Sequence, residues 1–365
     1  MLTIRSRRRW AWRVTGSAAV LAGLTGMAGV TAATPATAAT GVSPPYKIYL
    51  SNTDLDNGWR LEMQSIAKNF VAHTAPYNRD VKFQIINGTN TVAGQIASIE
   101  AILPDHPSAI VIDANSPTAL TPVLNQAIAQ GAYVVWFDTP LSNPKAYGVT
   151  TVGGLTKPAY STALWLIHSM GDKGNLVINN GVLGTGGEEQ QNAGVMQAVH
   201  QFPKVHVVAQ FSGQWATAPS ASAFEQIMAT HPSINGVWDS GGESGVIQDL
   251  VKAHKPLIPI AGYTFNQYFE QCNQYKAQGL QCAAGSYPAT LGAQALTEAV
   301  GLLKGKSYPK VVEVPYQVYA NNGAKSDVPT LPMPKGDAQL PLEFTWPFNP
   351  PGANLTISEV IGGEK

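Results

Sequence analysis

From Lys47 onward, short runs of β-branched and apolar residues alternate with longer segments whose apolar residues recur at helical spacing. Runs at 48–51, 81–86, 109–112, 133–137 and 148–152 read as strands, with helices expected at 58–71, 92–103 and 119–130. A second set repeats the plan, with strands at 175–179, 205–210, 236–239 and 259–261. Its helices fall at 156–170, 189–201, 220–230 and 244–253. Then come a strand at 282–285, a helix at 289–304 and an extended stretch at 311–319. Alternation of this kind predicts an α/β fold of two doubly wound parallel-sheet lobes. They are joined by a three-segment hinge, with crossings expected near 152–154, 285–287 and 310–313.

The expected N-terminal lobe is 46–152 plus 287–312, and the expected C-terminal lobe is 153–286 plus 313–326. Residues 327–365 form a Pro-rich tail expected to pack on a lobe, with Phe344, Trp346 and Phe348 as anchors. Five arginines between Arg5 and Arg13 precede an apolar, Gly- and Ala-rich stretch at 16–33, and small residues follow at 36–39. That order predicts a secretory signal over 1–39 and a secreted protein, in the periplasm or on the outer face of the cell envelope. Within that signal, Ser6–Arg7–Arg8–Arg9–Trp10 loosely resembles a twin-arginine signal, so general and twin-arginine export are both open.

Composition narrows the class of partner. The 365 residues are 44% hydrophobic, enough for two cores. Lys plus Arg (23) equals Asp plus Glu (23), so no basic excess exists to hold nucleic acid. Two cysteines, Cys272 and Cys282, suit a disulfide in an oxidising compartment. Closing so short a loop contributes about 2.5–3 kcal/mol in the chain-entropy account. The seven histidines include no pair at metal-ligand spacing, and no Gly-x-Ser-x-Gly elbow occurs. Neither a metal nor any other cofactor is expected, and the chain reads as a non-enzyme.

Ligands of open parallel sheets bind beyond the carboxyl ends of the strands, so the residues just after each strand are the candidates. After the first strand stand Asn57, Trp59 and Arg60, offering a carboxamide, a ring face and a guanidinium. Asn57 also suits a helix N-cap, and Trp59 a core position. Asp138 and Thr139 follow the fourth strand, where a carboxylate can accept from two adjacent hydroxyls. In the second lobe the candidates are Glu189, Trp238, Asp239, Thr264 and Asn266. Glu189 serves equally well as a complement to a helix dipole.

These residues carry a resemblance to the ribose/galactose-type periplasmic binding proteins, the type I solute-binding proteins of sugar ABC transporters. Asp56–Asn57–Gly58–Trp59, the 134–138 strand ending in Asp138, Ala261–Gly262–Tyr263, and Gly285–Ser286–Tyr287–Pro288 stand where the family has corresponding motifs. The resemblance runs from about Tyr46 to Tyr319. It implies a small polar ligand, a monosaccharide or polyol, held between the lobes by Asn57, Trp59 and Asp138, with Ser286 at the hinge. It implies an ABC permease as partner and a monomeric protein. Two positions depart from the pattern: Glu189 and Gln191 stand where the family has Arg, and Thr264 where it has Asp. The alternatives are a sensing subunit for a membrane receptor, and a secreted hydrolase that uses Asp138 and Glu189.

Overall fold

The computed structural model describes residues 42–53, 55, 57–345 and 355–361. The expected signal segment, Asp56, Trp346 and Phe348 lie outside the described residues. The first lobe is built from β1 (Tyr46–Asn52), α1 (Gly58–His73), α2 (Tyr77–Asp80), β2 (Val81–Asn87), α3 (Val92–Ile102), β3 (Ala109–Asp113), α4 (Thr121–Ala129), β4 (Tyr133–Phe137) and β5 (Tyr147–Thr151). The second comprises α5 (Thr156–Ser169), β6 (Gly174–Asn180), α6 (Gly186–Val199), β7 (Val205–Ser212), α7 (Thr217–Thr230), β8 (Gly236–Asp239), α8 (Glu243–Lys252), β9 (Ile260–Tyr263), α9 (Asn266–Gln274) and β10 (Cys282–Gly285). The chain continues as α10 (Leu291–Leu303), β11 (Val311–Val314), β12 (Val318–Ala320), β13 (Thr330–Pro332) and α11 (Ile357–Val360).

Two sheets result, one for each lobe. The first is parallel throughout, in the order β11-β5-β4-β3-β1-β2. The second runs β13-β12-β10-β9-β8-β6-β7, with β10 and β12 its antiparallel pair. Both faces of each sheet are covered, which explains why β3 is a continuous apolar run and not an alternating one. All five of its residues are buried. Ala109 and Val111 pack under α1 and α10, while Ile110 and Ile112 join Tyr49, Val134 and Trp136 on the opposite face.

The chain passes between the sheets between β5 and α5, between β10 and α10, and between β11 and β12. The third passage lies later than the sequence suggests. β11 keeps its register with β5 through Val314, opposite Thr151, so Glu313 and Val314 belong to the first sheet. The short helices α2 and α11 escaped the pattern analysis, as did α9 and β13. α9 is mostly polar, with Tyr268, Phe269 and Cys272 as its buried apolar side, and β13 is only three residues long. Cys272 on α9 and Cys282 on β10 form a disulfide inside the second core.

α5 and α6 lie side by side on the second sheet, and Gly194 lets them approach closely. A Cβ there would sit 2.2 Å from the Thr156 carbonyl oxygen, a backbone atom with no room to retreat. Gly194→Ala should therefore destabilise the protein by about 1–3 kcal/mol, the usual cost of overpacking, despite alanine's better helix propensity. Chemical denaturation of the two proteins checks this; an unchanged or raised midpoint would contradict the packing.

Candidate functional site

Between the lobes lies a cavity of about 330 Å³. The first lobe lines it with Asn57, Trp59, Arg60, Asn115, Asp138 and Thr139. Gln191, Gln214, Trp215, Ser240, Tyr263 and Phe265 come from the second, Leu155 and Tyr287 from the crossings, and Thr345 from the tail.

The first-lobe wall is fixed by the start of α1. Asn57 is extended, and its Oδ1 accepts the Arg60 backbone N–H at 3.0 Å, so it is both N-cap and cavity residue. The Trp59 indole N–H donates to the Tyr287 carbonyl at 2.9 Å, and the two rings lie 6.2 Å apart at 28°. A broad aromatic surface results. Arg60 Nε donates to Asp113 at 3.1 Å, and Asp113 is wholly buried. Gln95, also buried, donates to Ser51 and to the Asp113 carbonyl and accepts from the Asn115 N–H, which holds the loop after β3 in place.

Asp138 stands one residue beyond β4 with φ at 61°, a left-handed conformation that Asp tolerates better than most side chains. Desolvation in the cleft pushes its pKa up to about 7, and the neighbouring charge of Asp113 adds to the rise, against the opposing pull of Arg60 and Tyr287. The carboxyl is thus poised between donor and acceptor near neutral pH.

In the second lobe a buried network holds the loops. Asn179, at the end of β6, donates to Asp239 at 2.8 Å and to Ser220 at 2.7 Å, and accepts the Gly213 N–H. Asp239 also accepts the N–H groups of Gly241 and Gly242, and Glu243 accepts that of Tyr263. Burial raises Asp239 to about 6 despite these bonds, and burial together with Asp239 raises Glu243 well above the ordinary range. The braced loop after β7 presents Trp215, whose N–H donates to Gln191 at 3.1 Å. Gln214 and Trp215 both have φ of 56°, and the indole fits over Gly181, where a Cβ would lie 2.1 Å from the ring.

Of the candidate ligand residues, Asn57, Trp59, Arg60, Asp138 and Thr139 converge on the cavity, as does Gln191 where the family has Arg, and Glu189, Trp238, Asp239, Thr264, Asn266 and Ser286 do not line it. Trp238 is fully buried, donating its N–H to Thr162 of α5. Asp239 belongs to the loop network, and Ser240 beside it faces the cavity. Glu189 is exposed on α6, while Gly187 and Gln191 supply the inward face of that helix. Thr264 is buried outside the cavity lining, and Asn266 binds the tail. Ser286 exchanges two bonds with Gln317, its N–H donating and its Oγ accepting, and so ties the second crossing to the third. Trp215 was missed, although it too follows a strand at its carboxyl end.

The family model described as the periplasmic binding protein domain matches residues 48–307. The chain belongs to the periplasmic binding protein family. Its fold and relatives place it with the type I, ribose/galactose-type members. The family is extracytoplasmic, and among the described residues no helix is long and apolar enough to cross a membrane. The chain is 24% identical over 179 residues to the xylitol-binding protein of Mycolicibacterium smegmatis, covering 48% of this chain but only about half (51%) of that protein. It is 21% identical to the ribose import binding protein of Bacillus subtilis, over 66% of this chain and 77% of that one. Among solved structures, an ABC transporter solute binding protein from Thermobispora bispora superposes with TM-score 0.67 and 27% identity, covering 74% of this chain and 84% of that one. A solute binding protein from Actinobacillus succinogenes with bound D-allose gives TM-score 0.64 at 20% identity, over 75% and 96% of the two chains.

The raised acids of this binding protein predict how its stability responds to pH. Asp138, Asp239, Glu62 and Glu298 have pKa values pushed up to about 7, 6, 8 and 8, chiefly by burial. Between about pH 4 and 8 the native state therefore holds protons that the unfolded chain has lost, so unfolding free energy falls as pH rises. The urea midpoint should be lower at about pH 8 than at about pH 5, and Glu298→Gln should reduce the difference. A midpoint that rises over this interval would contradict the assignment.

Proposed function

We propose that this chain is the extracytoplasmic substrate-binding protein of an ABC importer, holding a monosaccharide or related polyol in the inter-lobe cavity. What supports the reading is that ring faces and hydroxyl-pairing groups from two separate sheets share one cavity. A sugar presents an apolar C–H face and a girdle of hydroxyls. Trp59 with Tyr287 on one side and Trp215 on the other suit the face; Asn57, Asp138 and Gln191 suit the hydroxyls. The carboxyl pair that a hydrolase would need is not supported, because Glu189 points away from the cavity.

Loading the cavity draws groups from both lobes onto one ligand, which favours closure about the three crossings and gives a permease a distinct surface to recognise. A second reading, delivery to a membrane receptor, has one neighbour in its favour. The fructose-binding periplasmic domain of a hybrid two-component system shares the fold with TM-score 0.63 and 19% identity, over 75% of this chain and 90% of that one.

Thermal shift over pentoses, hexoses, polyols and amines tests the ligand class. A true ligand at about 100 times its Kd adds about 2.7 kcal/mol and raises Tm measurably, and the names of the xylitol-binding and ribose import relatives are the reason to try polyols and pentoses first. For the best ligand, Asp138→Asn should weaken binding by about 1.5–3 kcal/mol, the worth of a charge-assisted hydrogen bond. Wild-type affinity should fall as pH drops through about 7, where Asp138 gains its proton, and the variant should lose that dependence. No shift with any sugar or polyol, or equal affinity in the variant, would overturn the reading.

A further inference from the structure

The family match ends at residue 307 and leaves the tail outside it, yet the tail touches both lobes. On the second lobe β13 extends the sheet beside β12. The next loop is held by Asn266, whose Nδ2 donates to the Asp337 and Leu340 carbonyls, each at 2.9 Å, and whose Oδ1 accepts the Asp337 N–H at 2.7 Å. Leu340 and Phe344 are buried, and the N–H groups of Asn266 and Gln267 donate to the Phe344 and Leu342 carbonyls. At Thr345 the chain reaches the first lobe. Its N–H and hydroxyl donate to Oε2 of Glu62, on α1, at 2.6 and 2.7 Å. Farther on, Leu355 and Val360 are buried in the core that includes α1, and Ser65 of α1 donates to the Val360 carbonyl.

The expectation that the tail packs on one lobe is therefore corrected to contact with both. The location of this link matters. The crossings at 152–155 and 315–317 leave the first sheet from β5 and β11, at one edge, whereas the crossing at 286–290 runs against Trp59 at the start of α1. Thr345 meets α1, which follows β1, and β3 and β4 separate β1 from that edge. The Thr345 link thus adds a second tie at α1, one helical turn beyond the contact of Trp59 with the 286–290 crossing, and each tie away from the β5–β11 edge resists opening. Glu62 has no exposed surface, and a buried acid is costly unless something uses it. Thr345 also lines the ligand cavity together with Phe265, its bridge partner.

We propose that the tail is part of the binding apparatus: Thr345 completes the wall of the ligand site, and 330–345 makes a fourth connection between the lobes, fastened by Glu62 to Thr345 and by Asn266 to the loop at 337–340. Its consequence is a cleft that opens less than the three crossings alone allow, and a ligand whose size is limited by Thr345. Glu62 and Asn266 are positioning residues, acting through the tail.

The opening claim is testable without any ligand, so its outcome is independent of the sugar reading. Nitroxide labels at Glu100→Cys on α3 and Gln226→Cys on α7, both exposed on opposite lobes, report the inter-lobe distance by double electron–electron resonance. The otherwise unaltered protein should give a narrow distribution. Glu62→Ala and Asn266→Ala, which release the tail from opposite ends, should each shift it to longer distances and broaden it. Glu62→Gln keeps an acceptor for Thr345 and should preserve the narrow distribution. Circular dichroism confirms folding, and should Glu62→Ala fail to fold, Asn266→Ala carries the test from the other lobe. Folded Ala variants that keep the original distribution, or a Glu62→Gln protein as open as Glu62→Ala, would overturn the proposal.

Discussion

A parallel strand can be continued only by leaving one end of the sheet and returning to the other, so every carboxyl end, with the loop that follows it, lies on the same side. This chain does so in two sheets and then crosses between them, which brings two such edges to one cavity. The rest of the site depends on that constraint. Asn57 and Trp59 follow β1, Asn115 follows β3, Asp138 follows β4, Trp215 follows β7, Ser240 follows β8 and Phe265 follows β9. Apart from Asn57 and Trp59, none is near the others in sequence, and the fold alone brings the six loops together.

Burying so many polar groups needs hydrogen-bond partners, and the structure supplies them behind the cavity wall. Gln95 in one lobe and Asn179 in the other each join two or three loop ends by side-chain bonds to backbone and carboxyl groups. These networks hold the loops while leaving the ring faces and Asp138 toward the cavity. The cost appears in the acids whose pKa values burial raises. Their protonation near neutrality couples the site to pH.

Much of this was legible in the sequence, because strand periodicity locates strand ends and strand ends locate loops. The first-lobe candidates illustrate it: Asn57, Trp59, Arg60, Asp138 and Thr139 all lie just past a strand. The second-lobe errors are errors of phase. Asp239 is the last residue of β8 and turns into the loop network, whereas Asp138 stands one residue past β4. Glu189 and Gln191 sit two apart on a helix and so face different sides. Trp215 rides on a turn with positive φ at two non-glycine residues, and although Gly213 marks a turn there, nothing in the local sequence shows that the turn aims an indole into the cleft. The bond from Thr345 to Glu62 spans 283 residues, and nothing in local pattern encodes a pairing at that distance.

The measurement closest to the central claim is diffraction from crystals grown with the sugar or polyol that most stabilises the protein. The account predicts density for one ligand between Trp59 with Tyr287 and Trp215, its hydroxyls within hydrogen-bond distance of Asp138 and Asn57. Stoichiometric ligand elsewhere on the molecule, with that cavity unoccupied, would contradict it.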